Sequence, residues 1–131
     1  MKSTDIGTKR ILVVEDEPAI CEICITVLSK EGFRVDTVAN NKLAEDKIKK
    51  EDYDLILVDI KTPVMNGKEL YQSIIDNFPE MAGRVIFTTG DVMAESTETF
   101  IRKSGRPFLS KPYTPEELSE IVNETLNQLE G

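Results

Sequence analysis

Histidine is absent from this chain, and cysteine occurs only at Cys21 and Cys24. The missing imidazole excludes histidine-dependent catalytic triads and any phosphohistidine carrier role. A structural zinc site would need two more soft ligands than the sequence holds. Basic charge is also scarce: 16 Lys and Arg against 24 Asp and Glu leave a net charge of -8, which argues against a nucleic-acid-binding face. No apolar stretch is long enough to span a membrane, and the N-terminus shows no signal-peptide pattern. A cytoplasmic protein that binds neither membrane nor nucleic acid is expected. Internal repeats, low-complexity stretches and linkers are lacking too.

What remains is an ordinary globular composition, 40% hydrophobic and 31% charged over 131 residues. That length suits one domain with a single real core. Residues 1–8 read as a loose lead-in and 9–131 as the domain. The pair Cys21 and Cys24 forms a C-x-x-C, but a redox pair belongs at the very start of a helix, where the dipole lowers the thiol pKa. Pro18 reads as the first helical residue, so both cysteines lie a turn or more inside. With Ile20, Ile23, Val27 and Leu28 they continue a helical apolar stripe, and they are expected to be core cysteines.

Strands and helices alternate along the chain. Ile11 to Val14, Leu55 to Val58 and Val85 to Thr88 are short continuous apolar runs, as expected of strands covered on both faces. Phe33 to Val38 mixes in Arg34, Asp36 and Thr37 and suits an edge strand. Pro107 to Leu109 is a short fifth strand, again at an edge because proline cannot donate to a ladder. Leu70, Ile74, Ile75 and Phe78 recur at helical spacing, with Asn66 as candidate N-cap and Glu69 three residues on. Thr114, Pro115 and Glu117 spell a capping box for a last helix that would bury Leu118, Ile121, Val122, Leu126 and Leu129.

This alternation implies an α/β fold with a parallel sheet and helices on both faces. In such sheets ligands bind at the carboxyl ends of the strands. That rule gathers Glu15 and Asp16 after the first strand, Asp59 at the end of the third, Thr88 and Thr89 at the end of the fourth, and Lys111 after the fifth. Carboxylates converging from two strands would hold a hard cation and leave one carboxylate free to react.

The segments ILVVEDEP at 11–18, LILVDIKTPVMNG at 55–67, VIFTTG at 85–90 and FLSKP at 108–112 resemble, in order, the motifs of the response regulator receiver domain of two-component signalling. The resemblance covers the chain from about Lys9 onward. It implies a flavodoxin-like (βα)5 sandwich with sheet order 2-1-3-4-5.

The same resemblance assigns roles. Asp59 matches the aspartate that accepts a phosphoryl group, a carboxylate nucleophile giving an acyl phosphate. Glu15, Asp16 and Asp59, with the backbone carbonyl of Lys61, match the Mg2+ site, Asp16 as a direct ligand and Glu15 through water. The run Glu15–Glu17 also reads as helix N-terminal acids that favour the dipole. Lys111 matches the lysine that reaches a phosphoryl oxygen, and the family implies a cis Lys111–Pro112 bond. One of the two threonines is the switch hydroxyl. Gly90 fits the small residue that follows it, so Thr89 is chosen over Thr88. Phe108, three residues before Lys111, matches the aromatic that moves inward with it.

The donor implied is a histidine kinase or histidine phosphotransfer protein. The implied output is a changed surface around the fourth helix, fifth strand and fifth helix, on a monomer or a weak phosphorylation-dependent dimer. The domain is expected to be a phosphoacceptor that assists only its own phosphorylation and dephosphorylation. The stretch 90–112 looks more like receivers of hybrid kinases than those fused to DNA-binding domains. Thr62 stands where the family more often has methionine, and Glu15 where it more often has aspartate. Lys61 and Asp91 occupy mouth positions and are expected to pair over the phosphorylated site. Asp59-Ile60-Lys61-Thr62 also partly resembles the D-x-D-x-T motif of haloacid dehalogenase-like phosphatases. There Lys61 stands in place of the second aspartate, and a small phosphotransferase is the alternative reading.

Overall fold

The computed structural model describes residues 8–60, 67–90 and 95–130. Five parallel strands form one sheet: β1 (Arg10–Val14), β2 (Arg34–Val38), β3 (Leu55–Asp59), β4 (Val85–Thr89) and β5 (Phe108–Ser110). Their order is β2-β1-β3-β4-β5, so the two strands expected at the edges are at the edges. The helices are α1 (Pro18–Lys30), α2 (Asn41–Lys50), α3 (Gly67–Asn77), a single turn α4 (Pro79–Ala82), α5 (Glu95–Ser104) and α6 (Pro115–Glu130). Because α4 adds a turn, the surface expected on the fourth helix, fifth strand and fifth helix falls on α5, β5 and α6.

Strand alternation divides the core into two layers. Ile11, Val13, Leu55, Leu57 and Ile86 point to the face covered by Cys24 and Leu28 of α1 and by Leu118, Val122 and Leu126 of α6. Leu12, Val14, Ile56, Val58 and Phe87 point to the face covered by α2, α3 and α5. With both faces covered, β1, β3 and β4 are buried almost throughout. Each such Leu, Ile or Val contributes about 1.5–3 kcal/mol on burial. On the second face Tyr71, Phe87 and Phe100 meet edge to face, with centroids 5.1–6.0 Å apart.

Helix ends follow local chemistry. The Asn40 side chain accepts from the Leu43 amide and starts α2. Thr114 and Glu117 form the expected reciprocal cap: Glu117 N–H donates to Thr114 Oγ1 at 3.0 Å, and Thr114 N–H donates to Glu117 Oε1 at 2.8 Å. Gly32, with φ of 95°, reverses the chain after α1, a conformation that a side chain would strain.

Three apolar assignments need correction. Ile23, Ile75 and Leu129 are exposed. The buried residues of α3 are Gly67, Leu70, Tyr71 and Ile74, and Phe78 lies beyond α3 as the residue before α4. In each helix the apolar stripe is narrower than the count of apolar residues suggested, because the sheet offers each helix only one flat face. The Asn66 cap and Thr62 lie outside the described residues.

Candidate functional site

The carboxyl ends of β1, β3 and β5 converge on one rim. Glu15 extends β1: its amide donates to the Val38 carbonyl of β2 at 3.0 Å, which fixes the backbone and turns the side chain to the rim. Asp59 closes β3 and is only 2% exposed. The Ile60 amide donates to Thr88 O, and the Lys111 amide donates to Thr89 O, so the strand ends are laced together by backbone bonds. Oxygens of Glu15, Asp16 and Asp59 all lie within 4.8 Å of one another. Like charges that close repel by about 3–4 kcal/mol per pair at an effective dielectric near 20, so the cluster calls for a cation.

Lys111 supplies one positive charge. Its Nζ lies 2.7 Å from Asp59 Oδ2, 2.8 Å from Glu15 Oε1 and 3.3 Å from Glu17 Oε1. The Lys111 side chain is 13% exposed, whereas Glu17 is open to solvent. The peptide bond from Lys111 to Pro112 is cis, as expected. Burial by itself would lower the Lys111 ammonium. Its hydrogen bonds to Asp59 and Glu15, and their charges, outweigh that and hold its pKa above the ordinary lysine value. Glu15 is pushed up, first by burial and then by the Asp59 charge, against the opposing bonds from Lys111 and the Glu17 amide.

The donor set fits Mg2+. It consists of clustered hard carboxylate oxygens, and the neighbouring soft atom, Cys21 Sγ, is engaged with the Glu15 carbonyl at 3.4 Å. The Lys61 carbonyl and Asp91 lie outside the described residues.

Thr88 and Thr89 are both buried. Thr88 pairs in register with Asp59, while Thr89 is the last residue of β4, one step nearer the rim. A Cβ on Gly90 would approach nothing closer than Lys111 Cβ at 3.9 Å, so a small residue here does leave space. Phe108 is 43% exposed, with its strand neighbour Phe87 fully buried.

Sequence reasoning missed three contacts. Glu17 is the N-cap of α1 but makes no side-chain cap bond, since its carboxylate turns to Lys111 instead. Its place in an acidic run beside a helix start concealed this. Tyr113 OH lies 3.3 Å from Cys24 Sγ, tying α1 to the segment after Lys111. Gly67 packs on the backbone of Asp59 and Ile60. The cysteines are free thiols, Cys24 buried and Cys21 only half-buried. Burial raises the pKa of both, the opposite of a redox-active pair.

Among the described residues no helix is long and apolar enough to cross a membrane. The family model for the response regulator receiver domain matches residues 11–123. A CheY-like receiver domain protein from Methanospirillum hungatei JF-1 superposes with a TM-score of 0.84 and is 33% identical, covering 94% of this chain and 97% of that one. The response regulator TrrA of Thermotoga maritima, solved in complex with Mg2+ and BeF, gives a TM-score of 0.77 at 30% identity over 90% of this chain and 99% of that one. The transcription factor SKN7 of Saccharomyces cerevisiae is 30% identical over 112 residues, which is 86% of this chain but 18% of that protein. The chain thus spans under a fifth of that relative. These matches give the phosphatase resemblance of Asp59–Thr62 no support. The family model spans most of the chain and the fold superposes, and the chain belongs to the response regulator receiver domain family.

Proposed function

We propose that Asp59 is the phosphoacceptor of this receiver domain. The observation that carries the reading is the Lys111 ammonium bridging the buried carboxylates of Asp59 and Glu15 at 2.7 and 2.8 Å, with Asp16 alongside. A carboxylate oxygen of Asp59 forms the new bond to phosphorus, and the phosphorus–nitrogen bond to the donor histidine breaks. The electron pair goes to the imidazole nitrogen, which takes up a proton. Lys111 then exchanges its bond to Asp59 Oδ2 for one to a phosphoryl oxygen and meets the added negative charge.

Asp16 and Asp59, with Glu15 and the Lys61 carbonyl, would hold Mg2+. Bound there, it supplies positive charge against the incoming phosphoryl oxygens. Thr89 donates its hydroxyl to the phosphoryl group, and Phe108 follows from its half-exposed position towards the interior. The surface of α5, β5 and α6 changes in consequence and is read by a downstream protein or a weakly associating second copy. The donor is a histidine kinase or histidine phosphotransfer protein. The domain turns over no external substrate and assists only its own phosphorylation and dephosphorylation. The two free thiols accord with a reducing cytoplasm.

The test is intact mass after incubation with acetyl phosphate. One phosphoryl adduct is expected on the wild type with Mg2+, and none without Mg2+ or in Asp59→Asn. An adduct of equal yield in Asp59→Asn would overturn the assignment.

A further inference from the structure

We infer that Glu17 is a specificity-determining residue that makes the site discriminate against doubly charged small phosphodonors. The inference rests on the reading of Asp59 as phosphoacceptor. Three carboxylates share the Lys111 ammonium, and they are not equivalent. Glu15 and Asp59 are each 2% exposed at the side chain, whereas Glu17 is 63% exposed and stands at the mouth, 3.3 Å from Nζ. It is the α1 N-cap residue and makes no side-chain cap bond, so its carboxylate is not held by the first helical turn. Its amide instead donates to Glu15 Oε2 at 3.1 Å, which fixes the backbone beneath the carboxylate. Glu17 thus meets Lys111 from the solvent side, farther off than the two buried carboxylates, and sets a negative charge at the entrance.

An incoming phosphoryl group must win Lys111 from Glu17 and pass that charge, and the penalty grows with the donor's own charge. Acetyl phosphate is a dianion at neutral pH, and phosphoramidate is a zwitterion of net charge minus one. With either, Asp59 oxygen bonds to phosphorus. The leaving pair departs with acetate from the first and with ammonia from the second, so the atoms and charges of the two reactions balance identically at Asp59.

The experiment measures Asp59 phosphorylation rates with both donors, at saturating Mg2+, in wild type, Glu17→Gln and Glu17→Lys. Glu17→Gln should raise the acetyl phosphate rate about two- to fivefold, the scale of one exposed ion pair, and the phosphoramidate rate by a smaller factor. Glu17→Lys should widen the gap. Near 1 M salt, where the Debye length falls to about 3 Å, the difference should disappear. Equal factors for both donors, or a gap that survives high salt, would overturn the inference while leaving the phosphoacceptor intact. If wild type takes phosphoryl from neither donor, the reading of Asp59 itself fails, and this inference with it.

Discussion

Gly67 and Asp59 are in direct backbone contact: a Cβ placed on Gly67 would sit 2.7 Å from the Asp59 carbonyl oxygen and 2.6 Å from Ile60 Cα. The Gly67 amide donates to the Ile60 carbonyl at 2.9 Å, so the first residue of α3 rests on the end of β3. Contacts under 3 Å with backbone atoms cannot be relieved by a side-chain rotation. Gly67→Ala should therefore displace the strand end that carries Asp59. A loss of about 1–3 kcal/mol in urea unfolding, with slower phosphorylation by acetyl phosphate, is expected. Wild-type stability and rate in this variant would show that the contact relaxes without cost.

Glu15 gives stability a pH dependence whose sign can be stated. Burial first, then the Asp59 charge, raises its folded pKa above the ordinary value of 4.5. The folded state therefore holds a proton on Glu15 that the unfolded chain has released, and Glu15 adds stability as pH falls through the raised value towards 4.5. Below that value its contribution is complete, and as pH rises through the folded pKa it is lost. Urea unfolding in EDTA should show wild type gaining on Glu15→Gln as pH falls through the raised value towards 4.5. A gap that does not change with pH would contradict the raised value.

Mg2+ should stabilise the fold, independently of any phosphoryl chemistry. A ligand at about 100 times its Kd adds about 2.7 kcal/mol. For a domain of this size the melting temperature should rise by roughly 5–10 °C. Asp16→Asn removes a half-buried ligand candidate and should lose most of that rise. A full Mg2+ shift in the variant would place the ion elsewhere.

Thr89 and Phe108 should act as one switch. A hydroxyl bonded to a phosphoryl group contributes about 1.5–3 kcal/mol, enough to shift a two-state population about ten- to a hundredfold. Fluorine NMR of fluorophenylalanine-labelled protein should show the half-exposed Phe108 losing solvent contact on phosphorylation. Thr89→Ala should be phosphorylated with the Phe108 signal unmoved. Movement in Thr89→Ala equal to wild type would remove Thr89 from the switch.

Much of this was legible in the chain because it depends on local periodicity. The buried runs of β1, β3 and β4 announce strands covered on both faces, and the strand-end rule places Glu15, Asp59 and Lys111 on one rim. The Thr114 capping box was equally readable, being a contact three residues long. What stayed hidden depends on tertiary distance. Glu17 looked like a helix-start acid, and only the position of Lys111, 94 residues on, shows what its carboxylate does. Tyr113 meeting Cys24 and Gly67 meeting Asp59 are long-range contacts of the same kind. Ile23, Ile75 and Leu129 were misplaced because hydrophobicity says what a residue tolerates, and only the neighbouring element decides what it faces.

The most direct measurement is chemical mapping of the phosphorylated residue. Wild-type protein treated with acetyl phosphate and Mg2+ would be reduced with borohydride, which converts an aspartyl phosphate to homoserine, then digested and sequenced by mass spectrometry. Homoserine is expected at position 59, dependent on Mg2+, with Asp16 unreduced and no hydroxynorvaline at position 15. Reduction at another carboxylate, with Asp59 intact, would contradict that expectation.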